Sequence, residues 1–169
     1  MIRDLARKLT AFGEFVDCVI IELIFRRGTF EEGAQVVKAH SSMSLLRISS
    51  GDAELLVKLI NPRHEIRAAL CCRIQSSEKI WRVFTASEIS DFAADVGDKN
   101  RIYRLNPPIV SALLILETLL DCPPFSTSKS LRLKFKNFIT AGEPLILRGG
   151  GNHFEIDSAG ARKILIAVD

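Results

Sequence analysis

Residues 107–124, PPIVSALLILETLLDCPP, decide how the chain is read. Prolines bracket the stretch at both ends. Proline is at home in the first turn of a helix, and it stops a helix that runs into it. Between the prolines, over 109–120, only Ser111, Glu117 and Thr118 are polar. A helix that is apolar nearly all round has no face for water and must be enclosed on most sides. The stretch therefore predicts a helix over 109–120, entered at the prolines and enclosed by the rest of the chain.

The C-terminal quarter of the chain supplies the enclosure. Over 130–138 the chain alternates, with Leu131, Leu133 and Phe135 on one face and Arg132, Lys134 and Lys136 on the other. That is a strand with one buried face. Residues 144–148, 153–156 and 162–168 read as three more strands, separated by the glycine-rich turn 149–152 and by 157–161. Upstream, Thr85-Ala86-Ser87-Glu88 is a capping box. Ile89, Phe92, Ala93 and Val96 recur at helical spacing, and Gly97 stands where a left-handed cap belongs. These signals predict a helix over 86–96 and a loop over 98–106.

The first half repeats the theme in weaker form. Ile2, Leu5 and Leu9 predict a short amphipathic helix over 1–11, stopped near Gly13. Residues 15–27 are rich in Val, Ile and Phe and predict a strand. After a turn at 28–33 come three strand-like runs, 35–49, 54–60 and 65–75, parted by Ser49-Ser50-Gly51-Asp52 and Asn61-Pro62-Arg63. A buried helix followed by an antiparallel meander is an α+β arrangement in which a curved sheet wraps a helix, the hot-dog architecture. In both halves a helix leads into a strand, a turn and further strands, with Phe25 corresponding to Phe135 and Gly33 to Gly142 after one residue of slippage. The expectation is a tandem, or double, hot-dog. Residues 1–80 would form a first unit truncated before its central helix, and 81–169 the second. The competing explanation is that any two antiparallel meanders look alike.

Composition excludes several classes. Of 169 residues, 47% are hydrophobic and 25% charged, a globular balance rather than a disordered one. No apolar run reaches membrane-spanning length, since Asp17 and Glu22 interrupt the best candidate at 15–25. The N-terminus lacks the pattern of a signal peptide. The net charge of +3, without a dense basic stripe, does not point to nucleic acid. Cys18, Cys71, Cys72 and Cys122 include no CxxC pair and no zinc spacing, so reduced thiols in a cytoplasmic protein are expected.

The segment over 84–120, FTASEISDFAADVGDKNRIYRLNPPIVSALLILETLL, resembles the MaoC-like family of (R)-specific enoyl-CoA hydratases and 3-hydroxyacyl-thioester dehydratases. The match is carried by Phe84, Thr85, Phe92, Ala93, Gly97, Asp98, Asn100 and Ile102, and by Pro108, Ile109 and Val110 at the entry to the central helix. Residues 133–147, LKFKNFITAGEPLIL, resemble the family's strand–turn–strand with its Gly-acidic pair. The resemblance implies a hot-dog protein that acts on an acyl-CoA or acyl-carrier-protein thioester, with no metal or bound cofactor. An Asp and a His would grip one water, which adds across a double bond conjugated to the thioester. Backbone N–H groups at the start of the central helix would hold the carbonyl oxygen. Three positions depart from the pattern. Tyr103 stands five residues after Asp98, where the family has its His; Arg101 replaces a proline; and Ala112 replaces a glycine at the helix entry.

By resemblance, Asp98 and Tyr103 are the candidate catalytic residues. Asn100, Ile109, Val110, Ser111 and Ala112 are the candidate substrate-binding ones. A phenol, with an ordinary pKa of about 10, is a poor base near neutrality but a competent proton donor or water orienter. The plain alternative is that Asp98 is a loop residue after a helix cap and that Tyr103 packs over the cleft, as in a non-catalytic acyl-binding or structural subunit; the other alternative is a thioesterase in which Glu117 or Asp98 activates water. Glu117 is a second acidic candidate, by resemblance to hot-dog thioesterases; the alternative is a carboxylate reaching solvent or a basic partner. Lys99 and Arg104 flank the loop and suit the phosphates of a CoA or carrier arm, or simply solvent. His40, His64 and His153 are expected at the surface, and Gly149 to Gly151 lack the lysine and helix of a phosphate loop. Exposed sheet edges would favour a homo-oligomer or pairing with a related hot-dog chain.

Overall fold

A computed structural model describes residues 1–13, 17–61 and 78–169. Its elements run α1 (Ile2–Thr10), β1 (Val19–Arg27), β2 (Gly33–His40), β3 (Met43–Ser50), β4 (Ala53–Ile60), β5 (Arg82–Val83), α2 (Ala86–Val96), α3 (Ala112–Leu120), β6 (Ser130–Phe135), β7 (Pro144–Gly150), β8 (His153–Ser158) and β9 (Ala161–Val168). Short 3-10 turns occupy Arg101–Arg104 and Phe125–Thr127.

Among the described residues, nine strands join one antiparallel sheet in the order β2-β3-β4-β1-β6-β9-β8-β7-β5. Its seam is the pairing of β1 with β6, where Leu23 faces Leu133 and Phe25 faces Leu131. Outward from that seam the order reads alike on both sides. One face is apolar. Leu23, Phe25, Leu46, Ile48, Leu55, Val57, Leu131, Leu133, Ile156 and Ile164 on it are buried without measurable exposure. The other face carries cross-strand ion pairs. Arg132 and Glu22 meet at 2.6 Å, and Arg26 and Arg47 both reach Glu54, at 3.4 and 3.3 Å.

Helix α3 lies on the apolar face. It buries Leu113, Leu114, Ile115, Leu116, Leu119 and Leu120, and a fully buried side chain of this size contributes about 1.5–3 kcal/mol. Helix α2 forms where its signals place it. Glu88 N–H donates to Thr85 Oγ1 at 3.2 Å, Thr85 N–H donates back to Glu88 Oε2 at 2.8 Å, and Gly97 closes the helix at φ 71°. Helix α1 rests beside α2, α3 and β3 through Ile2, Leu5 and Ala6. Arg3 ties all three helices, donating to Glu117 Oε1 at 2.9 Å and to Asp95 Oδ2 at 2.7 Å.

The structure corrects three boundaries. The run over 35–49 is two strands, β2 and β3, folded back at Ser41-Ser42, a turn with neither Gly nor Pro to announce it. Helix α3 begins at Ala112 rather than at 109, capped by Ser111, because Ile109 bridges to Thr140 and Val110 N–H donates to Ile139 O at 2.8 Å. The loop over 98–106 contains a helical turn at Arg101–Arg104. The strand expected over 15–27 is seen from Val19, and the run over 65–75 lies outside the described residues, as do His64, Cys71 and Cys72.

Candidate functional site

The end of α2 aims Asp98. Past the left-handed Gly97, Asp98 N–H returns to Ala93 O at 2.8 Å, which fixes the direction in which the chain leaves the helix. Asp98 then organises the next turn. Its Oδ1 accepts from Asn100 N–H at 3.0 Å, and its Oδ2 accepts from the Tyr103 hydroxyl at 2.9 Å. Asn100 is buried and its side chain is engaged with backbone. Oδ1 accepts from Ile102 N–H at 3.2 Å, and Nδ2 donates to Cys18 O at 2.8 Å, which fastens the loop to the approach of β1.

The helix entry is fixed from the other side. Ala141 N–H donates to Pro108 O at 2.9 Å and Ile109 N–H to Ile102 O at 3.1 Å. Ser111 is buried and caps α3, its Oγ accepting from Leu113 N–H at 3.3 Å.

These pieces border a cavity of about 600 Å3. Asp98, Asn100, Tyr103, Ile109, Val110 and Ala112 all line it, so the structure brings together every candidate catalytic and substrate-binding residue of the Asp98 site except Ser111, which serves as the cap of α3. The apolar lining comes from both halves: Leu9, Val19, Ile20 and Leu59 from the first, Ile115, Phe135 and Ile139 from the second. Arg7, Lys99 and Lys136 bring positive charge to the same space. Sequence reasoning missed the first-half walls and the Phe135–Ile139 side, because nothing in a local motif marks residues that meet it only through the sheet.

Burial, and then the Asp98 carboxylate beside it, push the Tyr103 phenol well above its ordinary range; hydrogen bonding to Ser111 pulls the other way. The phenol therefore stays protonated and acts as a hydrogen donor. Asp98 is the acceptor of the pair. A group of this kind can polarise or deliver a proton to a bound molecule, and the start of α3 presents Ala112 N–H at the positive end of the helix dipole.

The remaining candidates lie elsewhere. Glu117 does not line the cavity; both its oxygens accept from Arg3, at 2.9 and 3.2 Å. Arg104, His40 and His153 are exposed, and His153 opens β8 opposite Gly150. Cys18 and Cys122 are free and half-buried. Among the described residues, no helix is long and apolar enough to cross a membrane.

No protein-family model matches the chain, and no curated protein matches its sequence. Solved structures do match in three dimensions. HtdX of Mycobacterium tuberculosis superposes with a TM-score of 0.64 at 12% identity, over 99% of this chain and 85% of that one. A MaoC-like dehydratase from Phytophthora capsici gives 0.54 at 12% identity, over 92% of this chain and 70% of that one. An acyl-ACP thioesterase from Bacteroides thetaiotaomicron gives 0.53 at 10%, over 98% and 81%. Likeness at such identities is likeness of fold. With one curved sheet wrapped on a buried helix, and these neighbours spanning nearly all of it, the chain has the hot-dog fold.

Proposed function

We propose that the protein binds an acyl thioester in this cavity and adds or removes water at the 2,3 position of the acyl chain. One observation carries the reading: the Asp98–Tyr103 pair and Ala112 at the mouth of α3 line the same, largely apolar, cavity. The thioester carbonyl would sit at the Ala112 N–H and the acyl chain against Ile109, Val110 and Ile115. In hydration, Asp98 takes a proton from water as the water oxygen bonds to C3. The π electrons move toward the carbonyl oxygen, and Tyr103 delivers its proton to C2. The hydrogen bond between the two residues then returns the proton from Asp98 to Tyr103, restoring both. Dehydration is the reverse. The fold neighbours named for a dehydratase and for an acyl-ACP thioesterase support the choice of an acyl thioester as ligand.

The proposal includes the organisation of the chain as two hot-dog units, 1–80 and 81–169. It includes a CoA or carrier-protein thioester as substrate, a cytoplasmic setting, and pairing with a second copy or a related hot-dog chain. A second reading is acyl binding without turnover. It is favoured by the Tyr103 hydroxyl being engaged with Asp98 and by both Asp98 oxygens already accepting. A thioesterase that uses Glu117 is disfavoured, since Glu117 is held by Arg3 outside the cavity.

The deciding experiment measures the loss of conjugated-enoyl absorbance with short and medium trans-2-enoyl-CoA, for the wild type, Asp98→Asn and Tyr103→Phe. Turnover lost in both variants supports the hydratase. Binding of a saturated acyl-CoA with no turnover at any chain length supports the second reading and ends the first.

A further inference from the structure

We infer that the buried Glu143 and the half-buried Lys163 are a positioning pair that sets one wall of the cavity and the entry to α3 without touching the ligand; this rests on the acyl-thioester reading of the cavity. Glu143 is 4% exposed and Lys163 12%, and neither lines the cavity. A carboxylate so withdrawn from water carries a desolvation cost that close pairing and further hydrogen bonds must offset. Both conditions hold. Lys163 Nζ lies 2.6 Å from Glu143 Oε1 and donates to Phe138 O at 2.8 Å, while Glu143 Oε2 accepts from Thr140 N–H at 3.0 Å. The Lys163 carbonyl accepts from Lys136 N–H at 2.8 Å.

The partners of this pair show what it holds. Every one of those hydrogen bonds ends in the β6–β7 connection at 136–143. The first half of that connection, Lys136 through Ile139, forms part of the cavity wall. The same connection pairs with the segment that leads into α3, through Val110 N–H to Ile139 O and Ala141 N–H to Pro108 O. The ion pair is thus one bond away from the wall and two from the helix entry. A loop closed by a charged clasp in addition to the packing of Ile139 has a defined position, which a site that orients a carbonyl requires.

The test measures calorimetric affinity for dodecanoyl-CoA, a saturated thioester, beside thermal midpoint and far-ultraviolet circular dichroism. The proteins are wild type, Glu143→Gln, Lys163→Met and the double variant Glu143→Met/Lys163→Met. The singles leave one buried charge unpaired, whereas the double removes both and keeps the volume, so it is the variant best placed to stay folded. The expected result is affinity weaker by about tenfold in the double variant at temperatures where its circular dichroism equals that of the wild type. Wild-type affinity in a folded double variant, with only the midpoint shifted, would show a purely structural role and overturn the inference. No binding by the wild type removes the cavity reading and this inference with it; binding by the wild type keeps the first whatever the variants do.

Discussion

Helices α1 and α3 have the same length and the same place in the topology, yet they do different work. Each has nine residues, and each precedes one of the two strands that pair at the seam. Helix α1 buries Ile2, Leu5 and Ala6 and pairs Arg3 with Asp95 and Glu117 and Arg7 with Asp95. Helix α3 buries six residues, and its start borders the cavity. The rest of the two halves divides the same way. The groups to which the proposed reaction gives chemistry, Asp98, Tyr103 and the α3 entry, come from the second half; the first half contributes walls such as Val19, Ile20 and Leu59. A topology laid down alike on both sides of a seam contributes mainly apolar wall on one side and, on the proposed reading, the reactive groups on the other.

The sharpest way to break that division is at Asp98. If reactivity resides in the second half, Asp98→Asn lowers kcat for enoyl-CoA hydration by about 10²–10⁴-fold, the usual weight of a general base. A variant in the first half should alter only shape. Ile20→Trp is expected to weaken dodecanoyl-CoA binding by about tenfold or more while leaving crotonyl-CoA nearly unchanged, read as a chain-length profile. Equal loss for both ligands would mean that the first half does more than bound the cavity.

Stability should divide the helices too. Leu116→Ala, at a position with no exposure between the sheet and the other helices, is expected to cost about 4 kcal/mol by urea unfolding. Leu5→Ala is expected nearer 2 kcal/mol, because a helix packed on one side can settle into the space left behind. Equal costs would place both helices in one core of equal rigidity.

Tyr103 is the only tyrosine in the chain, so phenolate absorbance reports on it alone. In the native protein that absorbance should appear only well above the ordinary range near pH 10, and in urea at the ordinary value. The linkage has a definite sign. A pKa raised in the folded state contributes stability that is fully present below about pH 10 and is lost as pH rises beyond it. Native ionisation at the ordinary value would show the phenol to be solvated and unpaired from Asp98.

The smallest effect is expected at Arg3→Met. Hydrogen bonds from Arg3 and then Arg7 hold the Asp95 carboxyl below the usual range. Their contribution is present above that range and is lost as pH falls through the depressed value. These groups are well exposed, so the difference in thermal midpoint should be slight at neutral pH, vanish in high salt, and vanish again in acid.

Where one local rule decides, the chain was legible. Thr85, Glu88 and Gly97 place both ends of α2, because caps satisfy backbone groups within a single turn. The alternation of Leu131 and Leu133 with Arg132 and Lys134 gives β6 and its inner face, because a strand has a fixed period of two. The apolar run around Leu116 announces a buried helix, because no other placement keeps it from water. Even the pairing of Asp98 with residue 103 was within reach, since both sit on one short loop.

Only the tertiary structure decided the remainder. The start of α3 moved from 109 to Ala112 because Ile109 and Val110 found strand partners at Thr140 and Ile139, and that exchange costs no hydrogen bonds while it docks a loop. Glu117 could face a cavity or a cation, and Arg3, more than a hundred residues away in sequence, settled it. The cavity itself joins Leu9, Leu59 and Phe135, residues that no window of sequence contains together. Local rules act over a turn or a strand; walls, ion-pair partners and volumes depend on which elements meet, and that was fixed by the sheet closing on its helix.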